Sequence, residues 1–99
     1  MNSARHHRNA SALLLLACAA CEPEAQIPLY DNLGTLHHAI TTKSSKAQQF
    51  FDQGLRLTYG FNHAEAIKAY QEALRFDPAC AMCQWGVAYD QVGTRSQNR

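Results

Sequence analysis

The chain carries little charge, and what it has is scattered. Charged residues occupy 17% of its 99 positions and leave a formal net charge of +1. A nucleic-acid binder would show a basic face or stripe, so that class is set aside. No glycine-rich phosphate loop is present, and the few acids, serines and histidines form neither a paired-carboxylate arrangement nor a serine triad. No catalytic residue, metal site or cofactor is therefore expected, and the chain does not read as an enzyme. No apolar run reaches the roughly 20 residues that a membrane-spanning helix needs. The four cysteines fall in two tight pairs, Cys18 with Cys21 and Cys80 with Cys83. That is not the distributed framework that ties together a small secreted fold.

What is present begins with an address. Met1 to Asn9 holds Arg5 and Arg8 without an acid, and Ala10 to Ala20 is an apolar run with four consecutive leucines. A basic head before a short apolar stretch is the pattern of an export signal. Leu15-Leu16-Ala17-Cys18 resembles the lipobox of bacterial lipoprotein precursors. That resemblance implies removal of residues 1–17, lipid attachment at Cys18 (Cys21 as the alternative), and an exported protein anchored to a membrane and facing the periplasm or cell exterior. The other reading is an ordinary cleaved signal with an incidental cysteine. Without Arg5 and Arg8, seven basic residues face eight acidic ones and the net charge becomes −1.

Residues 18–45 read as a tether. Pro23, Pro28 and the turn-like Asn32-Leu33-Gly34 interrupt any period, and Ile27, Leu29, Tyr30, Leu33 and Leu36 are candidates to pack as an extended strap. Residues 46–93 read as all-α. Ser45 with Gln48 fits a capping box, opening a helix whose Ala47, Phe50, Phe51, Gly54, Leu55 and Leu57 share one apolar side. Gly60 is placed as its left-handed C-terminal cap. Asn62 and Glu65 start a second helix with Ala66, Ile67, Tyr70, Ala73 and Leu74 inward and Glu65, Lys68, Gln71, Glu72 and Arg75 mostly outward. Asp77-Pro78 opens a third, and residues 94–99 read as a polar tail.

Shifted by 34 residues, the sequence partly overlays itself: Phe51 meets Trp85, Gly54 meets Ala88, Leu55 meets Tyr89 and Thr58 meets Val92. A period of this length in helical hairpins marks a solenoid array. With Ala47 as the first position, the chain resembles the tetratricopeptide repeat. Gly54, Ala66, Tyr70, Ala73 and Pro78 fall on the small, small, aromatic, small and proline positions of that pattern, and Phe50 replaces its tryptophan. The stretch from Leu33 to Tyr89 is further similar to a group of bacterial tetratricopeptide proteins through Leu33-Gly34-Thr35, His37-His38, Phe50-Phe51-Asp52-Gln53-Gly54-Leu55, Phe61-Asn62-His63 and Asp77-Pro78-Ala79-Cys80-Ala81-Met82-Cys83. The resemblance implies a helix-turn-helix solenoid of about one and a half repeats and a scaffold for a protein or peptide partner. It implies packing roles for Phe50, Gly54, Ala66, Tyr70, Ala73, Pro78 and Trp85. Members usually carry many repeats, so a piece of a longer protein is expected, with Trp85, Val87, Tyr89 and Val92 partly uncovered and open to self-association.

Cys80 and Cys83 leave four readings open: a local disulfide, buried packing thiols, redox exchange, or metal binding helped by a histidine. A redox or metal-handling module built on this pair is the alternative to the scaffold. His37 and His38 are adjacent on an extended segment and point to opposite sides, which assigns them to solvent or packing. His63 is assigned to packing at the turn.

Overall fold

The computed structural model describes residues 22–99, so the leader expected in 1–17 and both Cys18 and Cys21 lie outside the described residues. Those described form three α-helices and no strand: α1 (Ser45–Tyr59), α2 (His63–Phe76) and α3 (Ala81–Gln97). Helix α2 packs along both others, which touch each other far less.

The caps fall close to the expected places, with two one-residue corrections. The N-cap of α1 is Ser44, whose hydroxyl accepts from Ala47 N–H at 3.1 Å. Gln48 does not reach back to close a box from Ser45. Its side-chain amide is taken by the preceding segment, accepting from Ile40 N–H and donating to His38 C=O. At the other end Gly60 has φ −80°, and the left-handed residue is Phe61 at φ 60°. Phe61 N–H reaches Thr58 C=O and Asn62 N–H reaches Leu57 C=O, the paired bonds that close a helix around a left-handed residue. Asn62 caps α2 as expected.

Helix α3 starts later than Asp77-Pro78 implied. Its N-cap is Cys80, and Pro78 is an exposed turn residue rather than part of a helical turn. Asp77 uses its carboxylate to shape that turn, accepting from Thr42 Oγ1 and Ala79 N–H. The supposed polar tail continues the helix to Gln97. Thr94 and Ser96 bond to carbonyls one turn back, and Gln97 Nε2 donates to Phe61 C=O.

The core forms where α2 meets its neighbours. Ala47, Phe50, Phe51, Ala66, Ala69, Tyr70 and Ala73 are all fully buried, and Phe50 stacks on Phe76. Tyr70 is held between two glycines. A Cβ on Gly54 would lie 2.6 Å from its ring, and one on Gly86 would lie 2.7 Å from it. Small residues are needed at both places because the helices close onto this ring. Trp85, expected among the packing residues, is 44% exposed instead.

Residues 22–44 run as an irregular strap. An extended segment outside a sheet leaves its amides and carbonyls unpaired, and here helix side chains pair them. Tyr30 N–H donates to Gln53 Oε1 at 2.8 Å, and Gln53 Nε2 donates to Pro28 C=O. His38 N–H reaches Asp52, Gln26 N–H reaches Glu72, and Arg56 reaches Leu36 C=O. Glu72, expected outward, is therefore buried, as are Asp52 and Gln53. Ile27, Leu33 and Ile40 pack on the core, whereas Leu29, Tyr30 and Leu36 face outward. Polar pairing, more than apolar contact, seats the strap.

Candidate docking groove

One side of the molecule, formed by the end of α1, the turn after it and α3, concentrates exposed aromatic surface. Tyr59, Phe61, Trp85, Tyr89 and Val92 are all exposed there, Phe61 at 75% and Val92 at 68%. Trp85 and Tyr89, one turn apart on α3, stack with centroids 5.2 Å apart. Two adjoining hollows of about 320 and 480 Å³ open between these side chains. Both are walled by Phe61, His63 and Tyr89; Trp85 belongs to the first, Val92 and Gly93 to the second.

Beneath this surface lies a buried polar chain joining all three helices. Tyr70 Oη is 3.0 Å from Thr58 Oγ1, and Thr58 Oγ1 is 2.6 Å from Asp90 Oδ2. Asp90 Oδ1 meets His63 Nδ1 at 2.5 Å. Asp90 is wholly buried and His63 nearly so. A buried carboxylate is costly unless its oxygens are bonded, and here a hydroxyl and an imidazole bond both. Every buried side-chain polar atom among the described residues is likewise paired. Burial also pushes the Tyr70 hydroxyl up to about 12, because a phenolate there would lose its hydration.

Geometry around His63 is tightly drawn. A Cβ on Gly93 would come within 2.7 Å of Nδ1, so only glycine leaves room for the ring. Phe61 stands edge-on to it at 6.4 Å. Because Phe61 is bulky and left-handed, it carries backbone strain of about 1–2 kcal/mol. His63, assigned from sequence to the turn, is thus also the ligand of a buried acid. Asp90 and Thr58 were not singled out, although an aspartate amid the apolar positions of α3 was the available signal.

The cysteine pair is away from this groove. Cys80 and Cys83 are joined by a disulfide, and both are buried. Cys80 Sγ also accepts from Cys83 N–H as the cap of α3. His37 bonds Asp52 at 2.7 Å, while His38 lies tilted against Phe51, so the two do turn to different neighbours. Among the described residues no three His, Cys, Asp or Glu side chains converge as a metal site, and no helix is long and apolar enough to cross a membrane. No family model, curated protein or solved structure matches the chain.

Proposed function

We propose that this chain is a piece of a tetratricopeptide-like scaffold, exported and tethered through lipid on Cys18, that holds a polypeptide partner and carries out no reaction itself. One observation carries the reading. Phe51, Gly54, Leu55 and Thr58 of α1 are buried or half-buried, while their counterparts 34 residues on, Trp85, Ala88, Tyr89 and Val92 of α3, are all exposed. What α2 covers on α1 is therefore open on α3. The strap supports the same reading. Gly86, Val87 and Asp90 face α2, and the positions 34 earlier, Asp52, Gln53 and Arg56, are where the strap binds α1. The strap thus takes on α1 the place that α2 takes on α3, closing one end of the stack and leaving the other open, as terminal units of repeat arrays do. Burial of the disulfide favours a structural staple over exchange at Cys80 and Cys83.

A photo-crosslinking residue placed at Val92, in membranes containing the full chain, should label a polypeptide. The same residue at Lys68, on the solvent side of α2, should not. Equal labelling from both sites, or none from either, would count against the scaffold.

A further inference from the structure

The strap ends close to where it starts. Followed back from Lys43, it runs along α1, where Ile40, His38 and Leu36 bond in turn to Gln48, Asp52 and Arg56. It turns at Leu33, beside Leu57 and Asn62, where Gly34 takes φ 89°. The second limb returns past Gln53 and Glu72 to Arg75, which meets Glu24 C=O. Glu22 and Pro23 then lie against Lys43, Ser44, Phe76 and Asp77. That is the end of the stack where α1 begins, α2 stops and α3 begins. Residues 22–44 therefore add no distance between the helices and whatever precedes Glu22. Three residues separate Glu22 from Cys18, and those four Cα steps reach at most about 14 Å. Helix α3, with 17 residues, is about 25 Å long. The reach is shorter than the body it holds.

We propose that this end of the stack, where Lys43, Pro78, Ala79 and Met82 are exposed, is a membrane-facing surface set against phospholipid headgroups by the short reach from Cys18. The assignment rests on the lipid attachment proposed above. Acyl chains on Cys18 are buried in the bilayer and hold that residue at headgroup level. Attachment at Cys21 would shorten the reach further. Turned over, the stack would lift Glu22 about 25 Å from the headgroups, beyond what the chain spans. Charges at this end are mixed, Lys43 and Lys46 against Glu22 and Asp77, so reach and not headgroup charge selects it. The hollow lined by Phe61, Val92 and Gln97 lies at the opposite end. A polypeptide docking there approaches from the aqueous side and not out of the bilayer.

The test places a fluorescent amino acid at Ala79 or at Asn98, beyond the two ends of α3, in the full membrane-bound chain. Both positions are exposed, so the label leaves core packing as it is. Energy transfer to an acceptor carried on the phospholipid headgroups should be several-fold greater from Ala79 than from Asn98. Inserting about 20 glycine and serine residues between Cys21 and Glu22 adds a flexible spacer of about 25 Å, as long as the helices, and should level the two sites. Equal transfer from both sites of the unaltered chain, as from a stack lying on its aromatic side, overturns the assignment while leaving lipid attachment intact. Greater transfer from Asn98 overturns it likewise. A contrast that survives the insertion overturns reach as its cause. A chain that remains in the aqueous phase overturns it together with the anchor.

Discussion

Gly86 lies so close to Tyr70 that a Cβ built on it would meet three ring carbons at 2.7 Å. Gly54 presses the same ring from α1, so Tyr70 has no direction in which to give way. Gly86→Ala and Gly54→Ala should each lower stability by about 1–3 kcal/mol, the range for overpacking a close-packed interior. Urea denaturation, read as a shift in midpoint at constant slope, checks this.

Tyr70 also sets a dependence on alkali. Its hydroxyl is pushed up to about 12 by burial, against an ordinary value of 10.0. Between those values the folded state keeps a proton that the unfolded state has released, so stability falls as pH rises above 10 and levels off beyond 12. The loss should be roughly 2–3 kcal/mol. Tyr70→Phe should remove this part of the slope when melts are compared across that range. At neutral pH that variant should cost about 1 kcal/mol for the bond to Thr58.

The left-handed backbone of Phe61 predicts a gain in stability on substitution. Phe61→Gly relieves the strain but adds freedom to the unfolded chain, for a net gain of about 0.5 kcal/mol. The same change removes the ring beside His63. The thermal midpoint should rise slightly.

Gln53 holds the strap through two backbone bonds, at Tyr30 and Pro28. Gln53→Leu should release the middle of the strap while leaving the helices folded. Proteolysis between Gln26 and Ile40 should then quicken on the order of tenfold, as expected when local opening becomes easier by a little over 1 kcal/mol. Unchanged cleavage would mean that Ile27, Leu33 and Ile40 hold the strap unaided.

The bond between Cys80 and Cys83 closes a very short loop, so a double Cys→Ser change should cost only about 2 kcal/mol. Because both sulfurs are buried, a thiol reagent with mild reductant should label them only as fast as the protein opens. Prompt labelling of the native chain would restore the redox-exchange reading.

Much of the helical part was legible because its signals are local. Spacing of Phe50, Phe51 and Gly54, and of Ala66, Tyr70 and Ala73, placed two helices and the side each would bury. Asn62 marked the start of the second. The one-residue slips have a common cause. Between Ser44 and Ser45 a local rule barely discriminates, and at Phe61 the local preference for glycine in a left-handed position is overridden. Recruitment of Gln48 by Ile40 and His38, and the bond from Asn62 to Leu57, settled which was used.

By itself, then, the amino-acid sequence determined the helices and their small-residue contacts, which follow from periodicity and capping within a few turns. Tertiary structure alone decided which polar groups are interior. Glu72 reads as outward, and nothing local marks Asp52 or Gln53 as interior, until the strap brings backbone N–H groups 14 to 46 positions away against them. Asp90 has no assigned partner until His63, 27 positions earlier, meets it. Burial of a polar side chain is tolerable only once its partner arrives, and no local pattern records a partner that distant in the chain.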